Sequence, residues 1–224
     1  MKLLLDFGNT RLKYAVYEGS AKKTAGYIPE LSAEMVGKIP YFEEVKSIII
    51  STVIEIPATI LELIAPKLIP NNLVLQGKDY DVSTLGEDRI LLAKGAAPSH
   101  LIICLGTCIT YNLVDESNAF IGGAISPGLH MRAAAMHGYT AHLPMVEPQT
   151  THANFGNNTQ TNLIAGIMAG VEFEIKGFVQ EAQKRVPNVQ VVLTGGDAQY
   201  YEYLYPVDPD LMWKGMLSAG YSPA

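Results

Sequence analysis

At 224 residues, with 48% hydrophobic and 17% charged side chains, the chain can bury a substantial core and is too apolar to remain disordered. A net charge of −6 without any lysine- or arginine-rich run argues against nucleic acid and anionic membrane surfaces as partners. No apolar stretch approaches the roughly 20 residues that cross a bilayer, and Asp6 interrupts any N-terminal signal plan, so a soluble cytoplasmic protein is expected.

The first predicted strand, over 2–6, ends in Asp6-Phe7-Gly8-Asn9-Thr10. A buried strand that ends in an acid and turns through Gly-Asn-Thr brings a carboxylate, free backbone N–H groups and a hydroxyl to one point. That set suits a metal-bound polyphosphate: glycine permits close backbone approach, asparagine tolerates the turn, and threonine donates to an oxygen. A carboxylate repels phosphate, so its natural partner is Mg²⁺ or a water bound to it. Strands follow at 12–17 and 23–28, then a helix near 31–39, a buried strand over 47–53 and a helix over 57–66 with Ile60, Leu61, Leu63 and Ile64 on one face. A short strand at 73–75, a polar loop over 76–86 and a helix from Asp88 to Ala96 complete a βββαβα order for residues 1–96.

The pattern then repeats. Leu101 to Leu105 is an apolar strand reaching Gly106-Thr107, followed by strands at 109–114 and 119–124. A helix over 127–137 is expected, with Ser126 as its cap and Pro127 in its first turn. After a loop over 138–158, a long helical pattern runs from Thr159 to Arg185 with a break near Gly177. A last strand over 189–193 ends at Thr194-Gly195-Gly196-Asp197, another turn of the nucleotide-loop kind. Two hairpin openings of one design suggest a duplicated domain with a phosphate loop from each half, divided near Pro98-Ser99 into residues 1–97 and 98–224. Cys104 and Cys108 flank the second turn too closely for an unstrained disulfide, and reduced thiols fit a cytosolic protein. The five histidines show no metal spacing, the acid pairs Glu43-Glu44 and Glu172/Glu174 read as solvated faces, and Trp213 reads as the anchor of a last helix.

Asp6 to Lys13, Gly86-Glu87-Asp88-Arg89, Gly106-Thr107-Cys108-Ile109-Thr110, Gly122 to Gly128, Asn158-Thr159 with Gly166, and Gly195-Gly196-Asp197 resemble, in order and spacing, the type III pantothenate kinases of the actin-like, sugar-kinase and Hsp70 ATPase superfamily. The resemblance implies an α/β fold of duplicated βββαβα ribonuclease H-like domains with a cleft between them. It implies ATP-dependent phosphorylation of pantothenate to 4′-phosphopantothenate, the first step of coenzyme A biosynthesis, by a homodimer that needs Mg²⁺ and a monovalent cation, K⁺ or NH₄⁺. Residue by residue it implies that Asp88 is the proton acceptor and that Gly86, Glu87, Asp88 and Arg89 contact pantothenate, together with Tyr80 and Thr159. Asp6, Phe7, Gly8, Asn9, Thr10, Arg11, Leu12 and Lys13 correspond to the first ATP phosphate loop, with Asp6 acting through Mg²⁺. Gly106 and Thr107 correspond to the second. Several of these residues carry simpler readings: Lys13 as a solvated lysine, Asp88 as an acid favoured by a helix dipole, Tyr80 as a ring packed on its loop, Thr159 as a helix cap.

Cys104 departs from the pattern. The family places an aspartate there to hold the monovalent cation, and a neutral thiol is a poor ligand for a hard cation. Asn112 likewise stands where many relatives carry an aspartate. Carbonyls and water hold the cation in the carboxylate's place, the enzyme works without the cation, or activity is lost; the last outcome leaves a non-catalytic nucleotide-binding regulatory relative. A kinase for another small hydroxyl substrate is a further alternative.

Overall fold

The computed structural model describes residues 1–150 and 153–220. In the first unit, Met1–Leu75 and Asp81–Ala96 are joined by the C-terminal stretch from Asp210. The second unit comprises Gln76–Tyr80 and Ala97–Pro209. The C-terminal helix, placed with the second half by sequence order, therefore packs within the first unit.

The first unit is a four-stranded sheet of order β3-β2-β1-β4, from β1 (Lys2–Phe7), β2 (Leu12–Glu18), β3 (Ala21–Ile28) and β4 (Ser47–Thr52). Three antiparallel strands are followed by a crossover through α1 (Ala33–Gly37) to β4, which lies parallel to β1. Side chains alternate between the faces of a strand. Leu3, Leu5 and Phe7 point to one core with Val16, Ile48 and the buried Ile60 and Ile64 of α2 (Ala58–Ile64). Leu4 points to the other, with Ala15, Tyr17, Ile49, Leu91 of α3 (Glu87–Gly95) and Trp213 and Met216 of α6 (Leu211–Ala219). Trp213 thus anchors the last helix, as its position suggested.

Helices α3 and α6 meet backbone to backbone. A Cβ at Gly215 would run into the Leu91 carbonyl oxygen, and one at Gly95 into that of Leu211. Gly215→Ala should therefore destabilise the protein by about 2–3 kcal/mol, because the clash is with main chain that no rotamer change relieves. Chemical denaturation checks this, and wild-type stability would show that the two helices separate at little cost.

The second unit repeats the topology with a sheet of order β7-β6-β5-β8, from β5 (His100–Leu105), β6 (Cys108–Val114), β7 (Phe120–Pro127) and β8 (Gln190–Thr194). Its core lies between this sheet and α5 (Thr159–Arg185), with Leu101, Ile103, Leu105, Tyr111 and Leu193 against Ile164, Ile167, Val171, Ile175 and Val179.

Three expectations need correction. Residues 73–75 form no strand; Val74 is 76% exposed, so that short apolar run has no sheet to join. Helix α5 runs unbroken through Gly177, whose cost of about 1 kcal/mol relative to alanine is outweighed by the buried Ile175, Val179 and Ala182 around it. Ser126 and Pro127 end β7 instead of opening a helix; α4 (Leu129–Gly138) is capped by Gly128. Proline is tolerated there because β7 is an edge strand.

Candidate active site

Alternation along β1 puts Asp6 on the face of Leu4, the face covered by α3 and α6. Register places Lys13 of β2 on one side of it and Ser51 of β4 on the other. Burial pushes the Asp6 carboxyl above its ordinary range; the Lys13 ammonium and the Ser51 hydroxyl pull it back, and the Asp88 carboxylate adds to the rise. Asp6 and Asp88 are thus electrostatic neighbours, although they are far apart in sequence. Ser51 Oγ is fully buried, near enough to influence the carboxyl but outside hydrogen-bond geometry to it. A partly buried acid raised by desolvation, beside an orphan hydroxyl, suits a hydrated divalent cation.

Beyond Asp6 the chain turns, with Gly8 N–H donating to the Asp6 carbonyl (3.2 Å). A pocket of about 140 Å³ is lined by Phe7 to Leu12, together with Ile28, Pro29, Leu31 and Ile54. Asn9, Thr10 and Arg11 are exposed, while the side chains of Phe7 and Leu12 belong to the core, so these two offer only backbone to a ligand. The Arg11 guanidinium lies over the Tyr27 ring, 5.0 Å from its centroid. Lys13 is exposed and stands beside Asp6 in the register of β1 and β2.

Asp88 and Arg89 occupy the first turn of α3, where backbone N–H groups favour negative charge. Asp88 is partly buried and Arg89 is 8% exposed. Gly86 is the N-cap, and a Cβ there would stand 2.7 Å from Asp88 Oδ1. Gly86→Ala should accordingly swing the carboxylate aside and, if Asp88 is the proton acceptor that the family resemblance implies, lower turnover about tenfold. Steady-state kinetics on the folded variant check this; unchanged turnover would show that the carboxylate's position is not set by Gly86.

In the second unit, Gly106-Thr107 turns from β5 into β6, with Thr107 exposed. Gly195, at φ +95°, packs on the Leu105 backbone, and Asp197 N–H donates to the Leu105 carbonyl (3.1 Å). The Gly195-Gly196-Asp197 turn is therefore beside Gly106-Thr107. Cys104 occupies the position equivalent to Asp6, between Thr110 and Thr194. The Asn112 amide donates towards Thr110 Oγ1 (3.2 Å) and the Ile102 carbonyl (3.4 Å). This neutral set does not fit a carboxylate-held monovalent cation. Neither Cys104 nor Cys108 is in a disulfide.

Tyr80 packs its ring edge-on to Phe120 at 4.7 Å, in the second unit. Thr159 is exposed as the first residue of α5; the cap is Asn158, in a reciprocal box with Thr161. A larger cavity, about 480 Å³, is lined by Met168, Ala169, Glu172, Tyr200, Tyr201 and Tyr203 among others, and contains none of the expected site residues. Glu174, expected to be solvated, is partly buried and receives three donors. The sequence carries no signal for Ser51 or Glu174: the first reads as sheet interior, and the second shares a helix with ordinary surface acids. Among the described residues no group of three His, Cys, Asp or Glu side chains could hold a metal.

A family model described as Type III pantothenate kinase matches residues 2–181. A Type III pantothenate kinase of Flavobacterium psychrophilum is 33% identical over 213 residues, covering 89% of this chain and 88% of the relative. Among solved structures, a Campylobacter jejuni protein named for the Baf family of transcriptional activators superposes with a TM-score of 0.69 at 21% identity, covering 97% of this chain and 96% of its own. Component A of the (R)-2-hydroxyglutaryl-CoA dehydratase of Acidaminococcus fermentans gives 0.52 at 14% identity, covering 98% and 95%. These two speak for the duplicated ribonuclease H-like fold alone. With the family model matched over residues 2–181 and 88% of a relative's length covered at 33% identity, the chain belongs to the type III pantothenate kinase family.

Proposed function

We propose that the chain transfers the γ-phosphoryl group of ATP to the primary hydroxyl of pantothenate, giving 4′-phosphopantothenate and opening coenzyme A synthesis. The reading is supported by helix α3, which packs through Leu91 on the Leu4 face of β1 that also carries Asp6, with the Asp88 carboxylate adding to the rise of the Asp6 pKa. Asp88 orients the hydroxyl and takes its proton. Arg89 answers the pantothenate carboxylate, for which a guanidinium is well shaped, and Gly86, Glu87, Tyr80 and Thr159 complete the substrate contacts. The backbone of residues 7–12, the hydroxyl of Thr10, Arg11 and Lys13 bind phosphate oxygens from the first unit, and Gly106 and Thr107 do so from the second. Asp6 would hold Mg²⁺ through water, and the ion would supply neutralisation of the transferred phosphate's charge. Most of the acceleration then comes from positioning and electrostatics.

Exposed apolar side chains on the second unit, among them Met131, Tyr139, Met145, Phe155 and Phe173, support a homodimer. Two cysteines outside any disulfide support a cytoplasmic location. A regulatory relative that binds nucleotide without turnover is the second reading, favoured by the neutral row at Cys104.

An ADP-release assay with pantothenate tests the reading, run with and without K⁺ or NH₄⁺. Turnover is expected in both conditions, changing by less than about twofold on adding the cation, because a row of thiol, hydroxyl and amide groups offers a hard cation no charged ligand. Saturable ATP binding without turnover would favour the regulatory reading instead. Turnover that requires K⁺ would show that oxygen ligands other than the residue at 104 hold it.

A further inference from the structure

The second phosphate turn is held from behind. The Thr107 carbonyl accepts from Gly128 N–H (3.0 Å), and a Cβ at 128 would run into the carbonyl oxygens of Gly106 and Thr107. Only glycine permits that approach. Gly128 follows Pro127, whose carbonyl accepts from Arg132 Nε (2.8 Å). Arg132 Nη2 pairs with Glu174 Oε2, while Tyr111 Oη donates to Glu174 Oε1 (2.8 Å) and Ser126 Oγ donates to the same oxygen.

One carboxylate on α5 therefore gathers donors from β6, β7 and α4. Its ion pair with Arg132 has side chains only 23% and 21% exposed, against 69% and 65% for the Lys184–Glu181 pair on the same helix. Exposed pairs contribute little, whereas a shielded acid with several charge-assisted bonds fixes geometry. Burial pushes the Glu174 carboxyl up, yet Ser126, Arg132 and Tyr111 together hold it below its ordinary range.

We propose that Glu174 is a positioning residue for nucleotide binding. It fixes Arg132 and Ser126, these fix the Pro127–Gly128 backbone, and that backbone sets the Gly106-Thr107 turn. The proposal rests on reading Thr107 as a phosphate contact.

Two variants break the chain of contacts at different links. Glu174→Gln presents an amide N–H₂ to Arg132, and Arg132→Lys keeps the charge but loses the Nε donor to Pro127. Both should weaken binding of a non-hydrolysable ATP analogue, measured calorimetrically, by about tenfold, with a matching rise in the KM for ATP. The KM for pantothenate should stay within about twofold, a split that general loosening of the fold does not produce. Tyr111→Phe removes a donor from the same carboxylate without touching Pro127; it should lower thermal stability and leave nucleotide affinity within about threefold. Folded variants at 174 and 132 with wild-type nucleotide affinity, or with equal losses for both substrates, would overturn the proposal. If the Glu174 variant does not fold, the Arg132 variant decides by itself. Thr107→Ala separates the two levels: wild-type nucleotide affinity there removes the phosphate-turn reading, whereas weakened affinity there with a normal Glu174 variant removes only this inference.

Discussion

Asp88→Asn should lower kcat by about a hundredfold or more, the usual size of a lost general base, while the KM for pantothenate stays within about threefold. The amide matches the carboxylate in shape and keeps a hydrogen-bond acceptor for the substrate hydroxyl, so the ground state is bound much as before. What is lost is a place for the proton as the bond to phosphorus forms, an interaction made late in the reaction. Fold stability should change little: Asp88 is partly buried at the first turn of α3, where a charge is worth a few tenths to about 1 kcal/mol. Steady-state kinetics and a melting curve on the same preparation check both halves. Near-normal turnover in the folded variant would take Asp88 out of its role and leave it as a helix-dipole acid.

Asp6→Asn should move activity and stability in opposite directions. Asp6 is held above the carboxylate value of 3.8 chiefly by burial. For an acid whose folded pKa is raised, the native state binds the proton more tightly than the unfolded chain. The group therefore costs stability above its folded pKa, and that cost disappears as pH falls through the folded pKa towards 3.8. Asparagine removes the cost. Without nucleotide or metal at neutral pH, the variant should melt higher than the wild type, by roughly 2–4 °C for each kcal/mol relieved. The gap should close in acid. On the proposed role of Asp6, turnover should fall on the order of a hundredfold, because a neutral amide would no longer attract a divalent ion. A variant that melts lower than the wild type at neutral pH would mean that the Lys13 and Ser51 contacts outweigh the burial.

The half-turn logic of the sheet explains how much of this site could be read in advance. Leu3-Leu4-Leu5 followed by Asp6-Phe7-Gly8-Asn9-Thr10 announces a buried strand and the turn after it because each requirement is local: apolar run, acid at the strand end, glycine at the bend. The same locality made the second turn at Gly106-Thr107 visible, and with it the duplication that the two equivalent strand orders display. Glu174 was missed for the opposite reason. Nothing near it in sequence separates it from Glu172, which pairs with Lys176 one turn along; its donors come from residues 111, 126 and 132.

The apolar strands of both sheets, the glycine turns after β1 and β5 and the βββαβα order were legible in the sequence alone, since hydrophobic period and turn chemistry act over a few neighbours; the absence of a strand at 73–75 and the run of β7 through Pro127 were not. Tertiary structure decided which distant side chains meet. It set Ser51 and Lys13 on either side of Asp6 by strand register, brought Asp88 to them by laying α3 across that face, drew α6 into the first unit through the Gly95–Gly215 contact, and left Cys104 among neutral partners. Those outcomes depend on the packing of faces whose residues are separated by tens of positions, and a burial or a raised carboxyl exists only once those faces have closed.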